Sequence, residues 1–390
     1  MDELLTRGVD QIIGQDELEK ALKSSRKLRI KLGVDPTRPD IHLGHAVSLR
    51  KLRQFQDLGH TVIFLIGDYT TKIGDPSGRS KTRPMLTDAE IEVNAQTYLD
   101  QVGQILNLKK VEIRRNSEWL SKLSFADLIT LAAKFSVAQL IERDDFEKRL
   151  KAGEELSLHE LLYPLMQAYD SVALEADVEF GGTDQLFNLL AGRDLQRKMD
   201  QRPQVVFTTK LLVGTDGSKK MSKSLDNYVA LTDAPVDMYG KLLSMRDELI
   251  ASYYELCTNV PMNAVAELVK SLAEGANPRD PKASLAREIV GIYHGPKAAV
   301  EAETAWNHQF RDGGRPDEIA DFTIRDKYLP LIDVLVSSGL ATSKSDARRL
   351  IEQGGVKLDD TVQVIESAPV FADGDILQVG KRRYLKLRLK

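Results

Sequence analysis

The stretch Lys31-Leu-Gly-Val-Asp35-Pro-Thr-Arg-Pro-Asp40-Ile-His-Leu-Gly-His45 limits what this chain can become more than any other. Before and within its start, Leu28, Ile30, Leu32 and Val34 alternate with polar or small residues, the two-residue period of a strand. Pro36 and Pro39 end that strand, because proline brings no N–H to a sheet ladder. Beyond it, Val47, Leu49, Leu52, Phe55 and Leu58 recur at helical spacing until Gly59 closes the run. Thr61–Ile66 is then a short apolar run rich in β-branched residues, which reads as a buried parallel strand. Strand, tight loop, a helix opening at His42 to His45, and a second strand make one βαβ unit. Its loop and helix N-terminus fall on the ligand-binding edge of a parallel sheet.

That edge has its own chemistry. A helix N-terminus offers free N–H groups and partial positive charge, so it attracts phosphate. Gly44 has no Cβ to keep a ligand from the backbone. His42 and His45 are three apart and share one helix face, where two imidazoles can donate hydrogen bonds to polyphosphate oxygens. Taken by themselves they read as readily as two ordinary surface histidines, and a zinc pair is the weaker alternative. Zinc lacks a third ligand nearby, and the chain has a single cysteine, Cys257, so no metal site is expected. Far downstream, Lys220-Met221-Ser222-Lys223-Ser224 lies in a Gly/Ser/Lys-rich loop that begins at Gly214. Two lysines spaced by three in such a loop make a cationic clamp for a triphosphate, although a single basic loop is usually only solvated surface.

The length of 390 residues suggests two or three domains. Apolar and charged fractions of 42% and 29% are those of a globular protein without a membrane helix, since no apolar run nears the roughly 20 residues a span needs. One cysteine excludes a disulfide framework and fits a reducing cytosol, and the N-terminal stretch to Lys31 is mixed in charge, helical in pattern and without an apolar signal core. A cytoplasmic location is therefore expected. A net charge of −4 gives no global pull toward nucleic acid, so any RNA contact has to be local.

After the second strand, Gly67 to Pro84 forms a Gly/Pro/Ser loop, again at the carboxyl end of a parallel strand. It carries a carboxylate, Asp75, suited to an ammonium group, and three cations at alternate positions, Arg79, Lys81 and Arg83, suited to departing pyrophosphate. Its plainer reading is a solvated turn. Residues 85–165 are mostly helical by period. Tyr163, Gln167 and Asp170 then fall on one face of a helix, and such a polar stripe favours a pocket wall over a core. Val178-Glu179-Phe180 leads into Gly181-Gly182-Thr183-Asp184-Gln185, another strand-to-helix turn open to close approach.

In this order, Gly-Val-Asp-Pro-Thr, His-Leu-Gly-His, Ile-Gly-Asp-Pro-Ser-Gly, Tyr-x-x-x-Gln-x-x-Asp, Gly-Gly-Thr-Asp-Gln and Lys-Met-Ser-Lys-Ser resemble the signatures of bacterial-type tyrosyl-tRNA synthetases, a family of the class I aminoacyl-tRNA synthetases. The match spreads over residues 28–228. The resemblance implies a Rossmann-like α/β catalytic domain over 1–228, a helical anticodon-binding domain over 229–320 and a small α+β S4-like RNA-binding domain over 329–390. It implies that Asp75, Tyr163 and Gln167 hold the tyrosine ammonium, that Asp170 accepts from the phenolic hydroxyl, and that Gln185 meets the substrate carboxyl group. Asp35 and Thr70 would complete the tyrosine side. Gly44, Gly182 and Asp184 would meet ATP, the latter two near its ribose. Thr37, His42, His45, Arg79, Arg83, Lys220 and Lys223 would meet the phosphates, together with Met221 and Ser222 of the signature loop.

Many members of the family have tyrosine where this chain has Lys31. A lysine there is expected on the tyrosine-binding side, near Asp170, keeping that carboxylate ionised. Residues 229–310 carry a helical pattern, and Arg311–Pro316 is a linker by composition. In the last part, Ser343 or Ser345 can cap a helix that Gly354-Gly355 end, with Arg348 and Arg349 facing phosphate. The final ten residues, with Lys381, Arg382 and Arg383, contain no acid and read as a strand with one cationic face. The activity implied is charging of tRNA(Tyr) with L-tyrosine at the expense of ATP, with Mg2+ on the triphosphate and a homodimer as the working form. Two rivals stand beside it. A tryptophanyl enzyme shares fold and signatures but has less use for a buried acceptor at Asp170. An inactive RNA-binding regulator would have no reason to keep His42, His45, Lys220 and Lys223.

Overall fold

A computed structural model describes residues 2–37, 40–75, 86–310, 319–365, 369–380 and 383–390. The chain divides into two compact units, residues 1–299 and 300–390, with the division inside the helix Pro296–Phe310. The first is built on a six-stranded sheet of β1 (Val9–Ile13), β2 (Arg29–Val34), β3 (Thr61–Ile66), β4 (Val111–Arg115), β5 (Val178–Gly182) and β6 (Val205–Thr209). Their spatial order is β1-β6-β5-β2-β3-β4. All neighbours are parallel except β1, which runs antiparallel to β6. From β2 the chain proceeds outward through β3 and β4, then returns to the other side of β2 for β5 and β6. The sheet thus has its switch point between β2 and β5, where a crevice opens at the carboxyl ends of the strands.

Residues 9–13 and 111–115 both lie in stretches whose period reads as helical, yet they are strands β1 and β4 at the two edges of the sheet. Edge strands are half exposed, so their apolar pattern is weak and only pairing with β6 and β3 reveals them. The central strands behave as expected. In β3 every residue from Val62 to Ile66 is buried, as a strand covered on both faces requires. Phe180 of β5 stacks on Phe207 of β6 at 4.3 Å, and Phe55 meets both rings edge-on at 5.6 and 6.0 Å. The helix Leu43–Asp57 fills the β2–β3 crossover with its N-terminus beside the crevice. The helix Leu158–Ala173 starts in a capping box of Ser157 and Glu160 and runs through Pro164. The helices from Pro235 to His294 complete this unit.

The second unit carries a five-stranded sheet in the order β7-β11-β10-β8-β9, from β7 (Asp321–Ile324), β8 (Val356–Leu358), β9 (Thr361–Val362), β10 (Ile376–Val379) and β11 (Arg383–Leu389). β7 pairs in parallel with β11, so this sheet begins at Asp321, ahead of the residue 329 read from the sequence. Its short, half-polar strand carries no strong signal of its own. Leu331, Val334, Leu335, Ala347, Ile351, Val356, Leu377 and Leu387 close a core between this sheet and two helices, Leu331–Ser337 and Lys344–Glu352. Ser343 is the N-cap of the latter, accepting from the Asp346 N–H.

Phe207 is fully buried, and its ring supports both Phe55 and Phe180. Phe207→Ala should therefore lower unfolding stability by about 3–5 kcal/mol. Urea denaturation checks this, and a loss under about 1 kcal/mol would show that these rings do not carry the sheet core.

Candidate active site

A cavity of about 370 Å³ opens at the β2–β5 switch point. It is lined from β2 and its loop by Asp35 and Thr37, from the following helix by His42, Gly44 and His45, and from the loop after β3 by Thr70 and Asp75. Tyr163, Gln167 and Asp170 come from one helix face, Gly182, Asp184 and Gln185 from the turn after β5, and Lys220, Met221 and Ser222 from the signature loop. Segments far apart in the chain thus meet at one edge. Arg79 and Arg83 lie outside the described residues, as do Lys81, Lys381 and Arg382.

His42 is the N-cap of its helix. His45 Nδ1 accepts from the His42 backbone N–H at 3.3 Å, which leaves the proton of a neutral His45 ring on Nε2. The two rings lie 3.8 Å apart. Burial, the neighbouring ring and the two lysines push His42 down to about 2, and His45, although exposed to the cavity, is pushed down to about 4 by partial desolvation in the crevice and by Lys223 and Lys220. Both imidazoles are therefore neutral donors and acceptors at physiological pH, and Nδ1 of His42 is buried without a hydrogen-bond partner among the described residues. The His42 ring occupies the space beside Gly44, where a Cβ would come within 3.0 Å of it. Gly44 accordingly makes room for His42 rather than only for a ligand.

The cations come from the signature loop. Lys220 pairs with Asp184 at 2.7 Å, and Lys223 pairs with Asp40 at 2.5 Å. Lys223 is not among the cavity-lining residues. The loop is held against the helix N-terminus by backbone bonds: Leu43 N–H donates to Val229, Leu231 N–H donates to Ile41, and His42 bridges Ala230. Asn227, buried, braces its interior by accepting from the Ser222 N–H at 2.8 Å and donating to the Lys220 carbonyl at 3.3 Å. Neither Asp40 nor Asn227 stands out in the sequence, since each is an ordinary loop residue until its partner is known.

The other side of the cavity is acidic. Asp35 accepts from Thr70 at 2.9 Å and from the Tyr163 hydroxyl at 3.0 Å. Burial, with Asp35 close by, raises the Tyr163 phenol well above its ordinary value, so it keeps its proton and donates. Asp75 accepts from Gln185 at 2.7 Å, and Arg143 stands 3.8 Å from its other oxygen. Asp170, 3% exposed, accepts from Trp119 Nε1 at 2.8 Å and from Asn116 Nδ2 at 3.3 Å. Asn116 also donates to Thr70 at 3.0 Å, linking Asp170 on its helix to Asp35 through the Thr70 hydroxyl. Asn116 and Trp119 follow strand β4, which the periodicity does not reveal, so no local signal places them at Asp170.

Lys31 is fully buried and is not among the lining residues. Instead of a direct bond to Asp170, its ammonium binds Glu179 at 2.8 Å and the Ser171 hydroxyl at 2.7 Å. Lys31 and Glu179 are register neighbours on β2 and β5, and a buried lysine must take the nearest available carboxylate. Lys31 is still the largest influence holding Asp170 down, but burial outweighs it, and the carboxyl is pushed up to about 7.

The family of tRNA synthetases class I (W and Y) matches residues 23–311, and the S4 domain matches residues 329–370. The chain belongs to the class I tRNA synthetases. Within them it falls among the bacterial tyrosine–tRNA ligases. That of Moorella thermoacetica is 50% identical over 390 residues, covering 98% of this chain and 94% of the relative. That of Thermotoga maritima is 50% identical over 387 residues, covering 98% and 96%. A C-terminally truncated mitochondrial tyrosyl-tRNA synthetase of Coccidioides posadasii resembles it in structure, with a TM-score of 0.62 and 26% identity over 77% of this chain and 90% of that one. The tyrosyl-tRNA synthetase of Archaeoglobus fulgidus, crystallised with L-tyrosine, shares the fold with a TM-score of 0.63 and 22% identity, over 77% of this chain and 98% of that one.

The raised Asp170 has a measurable consequence. The folded chain holds its proton up to about pH 7, whereas the unfolded chain releases it near the ordinary 3.8. Between those values the folded state binds the extra proton, so this group's contribution to stability falls as pH rises from about 4 to 7. In the absence of ligands, the melting temperature of Asp170→Asn should change less between pH 5 and pH 8 than that of the parent, by on the order of a few degrees. Equal slopes in a pH series of thermal melts would show that Asp170 titrates normally.

Proposed function

We propose that this chain activates L-tyrosine with ATP and then passes the tyrosyl group to the 3′-terminal ribose of tRNA(Tyr). The observation that carries this reading is the buried Asp170 acceptor on the wall of a cavity whose other side holds His42, His45 and Lys220. In the first step a tyrosine carboxylate oxygen attacks the α-phosphorus, and the bond from that phosphorus to the β-bridging oxygen breaks to release pyrophosphate. In the second, a ribose hydroxyl attacks the tyrosyl carbonyl and AMP leaves. No side chain has to act as nucleophile. The chain contributes placement and charge complementary to the expanding phosphorus centre.

In this reading Asp75, Tyr163 and Gln167 receive the ammonium, Gln185 meets the carboxyl group, Asp170 accepts from the phenol, and Asp35 and Thr70 hold Tyr163 in place. Gly182 and Asp184 meet the ribose. The neutral imidazoles of His42 and His45 donate hydrogen bonds to phosphate oxygens without adding charge, and the unpartnered Nδ1 of His42 suits a ligand group. The positive charge comes from Lys220 and Lys223, which must exchange Asp184 and Asp40 for the triphosphate, and from Arg79 and Arg83. Thr37 completes the phosphate side. Mg2+ enters bound to ATP as part of the substrate; no cluster of three or more His, Cys, Asp or Glu side chains able to hold a metal occurs among the described residues.

The working form is a homodimer. Phe125 and Ile129, one turn apart on one helix, are 78% and 56% exposed, a costly arrangement for apolar side chains unless a second copy covers them. The protein acts in the cytoplasm, and no helix among the described residues is long and apolar enough to cross a membrane. The second unit grips tRNA through Arg348 and Arg349, both exposed on the helix Lys344–Glu352, with Lys381, Arg382 and Arg383 adding charge. Arg383 is partly committed, because it donates to the Leu340 carbonyl at 2.6 Å.

ATP–pyrophosphate exchange with each amino acid in turn tests the reading. Tyrosine should be the substrate, and above pH 7, where Asp170 is ionised, Asp170→Asn should reduce the ratio of kcat/KM for tyrosine over phenylalanine by roughly tenfold or more, because a charged acceptor for the hydroxyl is lost. Preference for tryptophan, or no exchange at all, would favour the tryptophanyl enzyme or the inactive regulator. For the second unit, Arg348→Glu with Arg349→Glu should leave exchange intact, weaken tRNA charging and flatten its salt dependence, since fewer counterions are released. Unchanged charging would remove these arginines from the RNA contact.

A further inference from the structure

Beneath Gln167 lies a second polar layer that does not line the cavity. Lys31 of β2 and Glu179 of β5 are register neighbours, 0% and 1% exposed at their side chains. The three donors of the Lys31 ammonium go to Glu179 Oε1 at 2.8 Å, Ser171 Oγ at 2.7 Å and the Gln167 backbone carbonyl at 3.4 Å. Glu179 Oε2 accepts from Ser171 at 3.0 Å and from Gln204. Glu179 Oε1, besides the lysine, accepts from Gln167 Nε2 at 3.1 Å. Gly192 keeps the layer intact, because a Cβ there would come within 2.7 Å of Gln204 Nε2, 3.0 Å of Ser171 Oγ and 3.2 Å of Glu179 Oε2.

The bond to Gln167 has a chemical consequence. A carboxamide can turn either end to a neighbour, but an ionised carboxylate only accepts hydrogen bonds. Glu179 therefore holds the NH2 end of Gln167 and leaves its carbonyl oxygen for the cavity, as an acceptor. A substrate ammonium needs acceptors. The lysine makes this possible, since a buried carboxylate without a partner would take up a proton and could then face either end of the amide. We propose that Glu179, paired with Lys31, is a positioning residue for tyrosine binding that fixes Gln167 with its carbonyl oxygen toward the substrate ammonium. This inference rests on the assignment of Gln167 to the ammonium, and it accounts for the lysine at position 31 without giving it a substrate contact.

The test compares two ligands that differ only in the ammonium group: L-tyrosine and 3-(4-hydroxyphenyl)propionate, the latter as a competitive inhibitor of tyrosine-dependent ATP–pyrophosphate exchange. Glu179→Gln should raise the KM for tyrosine by roughly tenfold or more while the KM for ATP changes little, because one hydrogen bond to a charged group is lost. The inhibition constant of the propionate should stay within about twofold of the parent value. Equal weakening of both ligands would mean that Glu179 only supports the fold, and no weakening of either would mean that it does not orient Gln167. Lys31→Met combined with Glu179→Gln leaves no unpaired charge, so it should restore thermal stability lost in Glu179→Gln while keeping the selective loss of tyrosine. Recovery of tyrosine affinity along with stability would also overturn the proposal. Gln167→Ala separates the two levels. If it weakens both ligands alike, the ammonium assignment itself fails; if it weakens tyrosine alone and Glu179→Gln does not, only the positioning role fails.

Discussion

Strand β2 pairs in parallel with β3 on one side and β5 on the other, and the chain leaves it toward β3 and comes back for β5. The two crossovers diverge there, so the carboxyl ends of β2 and β5 face an opening that neither covers. The loop after β2, the turn after β5 and the helix bearing Tyr163, Gln167 and Asp170 all gain their place from that opening. Local signals produce each segment, but the divergence makes them neighbours.

Charge in the cavity is separated by side. The histidines at the helix N-terminus are neutral because both stand beside two lysines and His42 is also buried, so they contribute directional hydrogen bonds and not field. The lysines carry the field and rest on Asp184 and Asp40. The half-exposed Lys220–Asp184 pair is worth little, so an incoming polyanion displaces it at small cost, whereas Lys223 is largely buried beside Asp40. The acidic side is different. Asp35, Asp75 and Asp170 each accept hydrogen bonds from side chains that are themselves buried or held, so their directions are set before any ligand arrives.

Below that acidic side lies the buried Lys31–Glu179 pair. A lysine facing the cavity would compete with a substrate ammonium for its acceptors. Turned onto Glu179 it does not, and its charge still reaches Asp170 through a short stretch of protein interior.

The sequence by itself determined the βαβ start, the buried strands β3 and β5, the capped helix after Ser343 and the identity of most polar cavity residues. All of these rest on period, capping and turn chemistry within a few residues, and on motifs whose order along the chain is distinctive. Tertiary structure alone decided that residues 9–13 and 111–115 are edge strands, that β7 at Asp321 belongs to the C-terminal sheet, and that Asn116 and Trp119 reach Asp170. It also decided that Lys31 faces Glu179 and that Asn227 braces the signature loop. The reason is common to these cases: an edge strand or a buried polar group is defined by a partner far along the chain, and no local pattern encodes which partner the fold will supply.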